Sequence, residues 1–320
     1  MSYLLNPDKA HIKTTNNKMR IQLAKPIGAL LTAGLFTLPN CLQAQPSAHY
    51  VPGLEGIKGA SLPPPGIWLR DYNVFYQSTR LNDPHGNDVP AGFSAFTYAQ
   101  VPRVLWITDT KVLGGYLGFD ALVPFVYTHA EVTALNFDSS TFGIGDVFAE
   151  STLSWHLKQF DLAVGYGAFA PTGDSSNKPL EAPNTRAGQG YWTHMLTAGA
   201  TWYIDTEKKW AVSALNRYEI STEKEKSEQI PGQAYTLEWG VSREITKGID
   251  VGPIGYYQQQ VNPNSGSPYS ARNRVAGVGP EVSAFFPQWM LGLSLRYVYE
   301  VMAENRAQGQ TFTLTVTKKF

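Results

Sequence analysis

The chain has 320 residues, 26 basic and 26 acidic side chains and a net charge of zero; charged residues make up 16% and aromatic residues 12%. Neutrality removes any electrostatic case for nucleic acid as a partner, and the aromatic content is far from that of a disordered chain. A single cysteine, Cys41, is too little for a disulfide-stapled secreted domain.

Taken in chain order, Lys18, Arg20 and Lys25 precede an apolar run from Ile27 to Leu38, followed by PNCLQAQ. This is the layout of an export signal, with cleavage expected after Ala44 and Met19 as an alternative start; the run is too short to cross a bilayer as a helix. Residues 1–44 therefore read as an extension and signal, 45–65 as a Pro/Gly-rich arm lying in the periplasm or in a lumen, and 66–320 as one β domain. Strand-like stretches follow near 66–79, 97–110, 113–128, 143–157, 160–171, 190–204, 209–221, 233–246, 249–261, 273–286, 288–302 and 309–320, and no amphipathic helix is evident.

The connectors alternate in length. Long ones (LNDPHGNDVPAGFSAF, AEVTALNFDSST, TGDSSNKPLEAPNTRAGQ, TEKEKSEQIPG, NPNSGSPYSAR) take turns with short ones (KV, LKQ, DTEKK, ITKG, PQ). With twelve strands running up and down, all short turns share a side with both ends of the β domain, as in outer-membrane barrels. The expected fold is thus all-β: a closed antiparallel up-and-down transmembrane β-barrel of about twelve strands. A soluble sandwich has no reason to keep that rhythm.

Facing patterns agree. Trp192, Leu196, Ala198, Ala200 and Trp202 share one parity, and the residues between the two tryptophans, tilted by ~40°, cover about 25 Å, the height of a lipid-facing band. Trp239 lies in a second such row, and Trp289, Tyr297 and Tyr299 in a third. These six aromatics are expected at the lipid interfaces. The opposite parity turns Asp120, Asp146, Glu150, His156, Glu238, Arg296 and Glu300 inward, with Arg103 and Glu281 as companions, as the lining of a wet lumen or as an ion-pair network filling it. At the end of the chain, Phe312, Leu314, Val316 and Phe320 alternate with threonines; this last strand must pair with the first, because lipid tolerates no open edge. The row also has the form of a signal read by the outer-membrane assembly machinery, from which Lys318 departs.

Catalysis is the rival class. Ser154 and His156 are the one pairing with nucleophile–base character, yet i, i+2 spacing on a strand is commonplace and no Gly-x-Ser-x-Gly accompanies it. No catalytic residue, cofactor or metal site is expected.

Several phrases are more particular: PPPG (63–66), ITDTKVLGGYLG (107–118), GIGDVF (143–148), FAPTGD (169–174), GQGYW (188–192), GVGPEV (277–282) and ENRAQGQTF (304–312). In this order and spacing the chain, from His49 to Phe320, resembles the family of meta-pathway phenol-degradation outer-membrane proteins. The resemblance implies an outer-membrane barrel of a Gram-negative bacterium, exported through a cleaved signal, that passively admits a small hydrophobic or aromatic solute. Its expected partners are outer-membrane lipid, the assembly machinery and that solute, and the barrel is expected to be a monomer. An outer-membrane enzyme acting on lipid, or an adhesive barrel without transport, are the alternatives.

Overall fold

Alternating Val, Thr, Phe, Tyr and Trp residues leave one hydrophobic row per strand, and the sheet they form closes on itself. A computed structural model describes residues 48–320 other than 179, 181 and 182; the expected signal, its cleavage site and Cys41 lie outside the described residues. The strands are β1 (Gly66–Leu81), β2 (Phe93–Val112), β3 (Gly115–Leu122), β4 (Phe125–Val132), β5 (Phe137–Ile144), β6 (Val147–His156), β7 (Phe160–Ala170), β8 (Thr193–Tyr203), β9 (Trp210–Ser221), β10 (Ala234–Thr246), β11 (Ile249–Gln260), β12 (Arg274–Phe286), β13 (Leu291–Glu304) and β14 (Ala307–Lys319). β3 with β4, and β5 with β6, are each one long strand interrupted in the middle, so the fourteen segments make a twelve-strand barrel. All pairings between strands are antiparallel, and β1 pairs with β2 on one side and β14 on the other, which closes the ring. Phe75 faces Phe312 across that seam, and the Phe320 amide donates to the Ile67 carbonyl at 3.0 Å.

The interruptions line up. Pro102 on β2, Pro124 between β3 and β4, and Gly145–Asp146 between β5 and β6 form a row across three strands where the ladders break. A proline has no N–H to give a ladder, which accounts for the first two. The Gly145 amide bridges to the Pro124 carbonyl at 2.8 Å and carries the row across. Beyond this bend β5 has only β4 as a strand neighbour, because β7 ends at Ala170. The segment 183–188 lies along the open side of β5 instead, where Thr185 meets Ser139 and Thr141 through hydroxyl contacts of 3.1 and 2.9 Å.

One connector is corrected. AEVTALNFDSST is not a long loop: β4 runs to Val132, a single turn of 3₁₀ helix covers Thr133–Leu135, and β5 begins at Phe137. Asp138, Ser139, Ser140 and Thr141 pair with β4 as a strand; their hydroxyls and carboxylate carry a loop composition although their backbone forms a ladder. The remaining long loops, 82–92, 171–192, 222–233 and 261–273, share one end of the barrel. Two short connections, 133–136 and 305–306, lie at that end as well, bonded to the 82–92 loop; the other short turns and the start of β1 share the opposite end.

The outer surface is apolar. Trp106, Leu196 and Val301 are each more than half exposed, as an aqueous surface of this extent would not be. Trp192, Trp202, Trp289, Tyr297 and Tyr299 are exposed on it. Trp239 is half-buried, its indole lying over Gly255 on β11 where a Cβ would meet the ring at 2.6 Å. Along β14, Phe312 and Phe320 are exposed and Leu314 and Val316 half-buried; the Lys318 ammonium caps the Trp289 carbonyl at the rim.

Candidate functional site: the lumen, its arm and its cavity

The inward parity carries charge, and buried charge must be paired and hydrogen-bonded. Arg103 donates to both carboxylate oxygens of Asp120 at 2.8 and 2.9 Å and to Glu150 at 3.3 Å. Its remaining nitrogen reaches Glu55 of the arm at 3.1 Å. Glu55 also receives Arg70 at 3.0 Å and the Tyr72 hydroxyl at 2.7 Å.

The arm, described from Ala48, crosses the lumen on carboxylates that accept its backbone amides. Glu219 accepts from His49 and Tyr50, both at 3.0 Å; Glu238 from Gly53 at 2.6 Å and Glu55 at 3.3 Å; Glu281 from Ile57 at 2.6 Å. Arg217 balances Glu238 at 2.7 Å and lies 4.0 Å over the Tyr50 ring. Arg296 donates to the Leu54 carbonyl and to Thr315, Gln258 donates to the Tyr50 carbonyl at 2.9 Å, and Lys58 pairs with Asp250 at 2.9 Å. An irregular segment leaves its amides and carbonyls unpaired, so these wall residues supply what a ladder would.

The start of the arm is joined to an external loop. Because the bend takes Asp146 out of the ladder, its carboxylate is free to accept three partners: His49 Nε2 at 2.9 Å, the Gly173 amide at 2.8 Å and the Gln189 amide at 2.7 Å. His49 stacks on Phe169 with ring centroids 4.2 Å apart.

Of the residues taken as inward from the sequence, Arg103, Asp120 and Glu150 form one cluster and Glu238, Glu281 and Arg296 hold the arm. Glu300 accepts from Tyr76 at 3.1 Å and Tyr256 at 3.0 Å. His156 has the inward parity and ends β6 at the turn side, away from these clusters and exposed, where it meets Asp161 at 3.1 Å. Parity cannot show how far along the barrel axis a residue lies. The Ser154 hydroxyl has no hydrogen-bond partner among the described residues, so the serine–histidine contact does not form. No group of three or more His, Cys, Asp or Glu suited to a metal ion occurs among the described residues.

Sequence reasoning missed Glu55, Arg70, Arg217 and Glu219. Arg217 and Glu219 alternate with Tyr218 and Ile220 on β9 and were readable by parity. Glu55 sits in the irregular arm and was not.

Above the arm lies a cavity of about 430 Å³. Its walls are apolar where they come from β1, β2 and β4 (Val74, Phe93, Ala99, Val101, Val126), and Phe148, Phe169 and Met195 continue them. The arm forms the floor through His49, Tyr50 and Leu54, and the external loops form the roof through Leu180, Gln189, Lys224 and Pro231. The Leu180 amide donates to the Gln229 side chain at 2.8 Å and so ties two of those loops together.

Comparison with known proteins places this geometry. A family model described as "Putative MetA-pathway of phenol degradation" matches residues 78–316. The COG4313 outer membrane channel from Pseudomonas putida F1 superposes with a TM-score of 0.73 at 16% identity, over 85% of this chain and 100% of that one. The translocator domain of the autotransporter NalP from Neisseria meningitidis gives a TM-score of 0.49 at 12% identity, over 82% and 92%. The β domain of the Bordetella autotransporter BrkA gives 0.47 at 11%, over 80% and 99%. No curated protein matches the chain.

Proposed function

The chain belongs to this MetA-pathway phenol-degradation family, and on that premise we propose that it is an outer-membrane channel passing small hydrophobic or aromatic solutes down their gradient. The observation that carries the reading is the cavity: an apolar-walled chamber inside the barrel, roofed by external loops and floored by a hydrogen-bonded arm. Chambers of this kind, mostly apolar with a few placed polar groups, are how proteins hold small molecules. The polar inner face keeps water in the lumen, and the apolar wall lets a solute shed it.

Two routes leave the chamber. The first runs past the arm toward the turn side and needs the arm to shift, since its bonds span the lumen from Glu219, Glu238 and Glu281 on one side to Tyr72 and Arg103 on the other. The second runs sideways beside β5, beyond the end of β7, where a loop rather than a strand completes the wall; an apolar solute would enter or leave the membrane there.

Uptake of labelled aromatic compounds by cells with and without the protein tests the reading. Faster uptake of apolar aromatics in the expressing cells is expected. Equal uptake of every compound, together with lipid hydrolysis by the purified protein, would replace it with the enzymatic alternative.

A further inference from the structure

Resting on that channel reading, we infer that the cavity selects aromatic carboxylates, with Lys224 as the side chain that receives the acid group. Lys224 stands on the loop between β9 and β10 and lines the cavity, only 5% exposed. Its ammonium carries three N–H donors, and the contact it makes is with the Gln189 carbonyl at 2.6 Å. No carboxylate among the described residues forms an ion pair with it, and burial pulls its pKa below the ordinary lysine range. A buried cation without a counter-ion is costly unless something supplies one.

The other charges of the cavity do not compete for that role. Glu55 is held by Arg70 and Arg103, Asp146 by His49 and two amides, and Glu300 by two tyrosine hydroxyls. Arg217 is matched by Glu238, and Arg186 by Asp174 at the exposed surface. Of the remaining cations of the lining, Arg306 meets Glu300 at 3.9 Å and Lys178 is exposed to water, so Lys224 is the buried cation that has no ion pair among the described residues, with Asp146 and Glu225 acting on it only at longer range. Apolar and aromatic surface adjoins it: Tyr191 is two residues beyond Gln189 in the chain, edge-on to His49 at 5.5 Å, and His49 stacks on Phe169. A flat ring bearing one carboxylate satisfies both features at once. A neutral aromatic satisfies only the second, and a small inorganic anion only the first.

The test is calorimetric titration of the full chain in detergent with benzoate and with benzamide, its neutral counterpart of similar shape. The wild type is expected to bind benzoate about tenfold more tightly, as a charge-assisted contact in a water-poor site would give. In Lys224→Met and Lys224→Gln the benzoate-to-benzamide ratio should fall to near one, while Lys224→Arg keeps the preference; heat-dependent migration in a denaturing gel reports that each variant is folded. A ratio near one in the wild type, or an undiminished ratio in the folded Met and Gln variants, overturns the carboxylate assignment alone. Failure to bind either compound, with no uptake in cells, overturns the channel reading as well.

Discussion

Gly56 shows at one residue how closely the arm is fitted. A Cβ there would overlap the Glu281 carboxylate and approach Arg296 Cδ to 2.9 Å. On the wall, a Cβ at Gly199 would meet Ala60 of the arm at 2.8 Å and Leu215 at 2.7 Å. These absent side chains are what lets an irregular segment lie against a sheet. Gly56→Val should therefore unseat the arm without altering any wall residue, and single-channel conductance in a planar bilayer should rise clearly above wild type, with Gly56→Ala between the two. Unchanged conductance in both variants would mean that the arm does not limit flow. The wall half of this contact was legible in the sequence, since strand parity turns Glu281 and Arg296 inward. The arm half was not, because periodicity carries no information on where an aperiodic segment folds.

The bend through Pro102, Pro124 and Gly145–Asp146 governs the next scale. It shortens the ladder on one side of β5 and leaves segment 183–188 to complete the wall through two hydroxyl contacts in place of a row of backbone bonds. A Cβ placed on Gly143 of β5 would lie 3.5 Å from the Ala187 Cβ, within the span a disulfide requires. The double variant Gly143→Cys/Ala187→Cys should form that bond on oxidation, with Cys41 the one other cysteine in the sequence. If apolar solutes pass sideways here, oxidation lowers their uptake several-fold and reduction restores it; uptake indifferent to the bond would assign passage to the lumen alone. The same region is where the sequence was hardest to read. The hydroxyl-rich run 138–141 has the composition of a loop, and its strand character comes from pairing with β4, a tertiary fact that local propensity does not contain. Pro124 and the GIGDVF phrase were visible, but only alignment across three strands turns them into one bend.

For the whole molecule, closure of β1 on β14 leaves the ring without an edge on that side, so the barrel does not rely on the arm for its backbone bonding. Removing residues 46–60 should accordingly give a folded barrel, still heat-modifiable in a denaturing gel, whose conductance is several-fold higher. Loss of the folded form would show instead that the carboxylates gathered around the arm, Glu219, Glu238 and Glu281, cannot stay buried without its amides. Architecture and strand number were readable because alternating rows and alternating connector lengths are properties of the entire chain, robust to an error at any one strand.

The arm passes directly from Pro65 into Gly66, the first residue of β1. Stopper and pipe are thus one covalent piece, and an arm pulled loose stays tethered beside the place it left. Reinsertion is then intramolecular, with a local concentration fixed by a few residues of leash and not by how much protein is present. Openings should accordingly be brief, their durations unaltered by dilution, as a hinged flap behaves and a detachable cork does not.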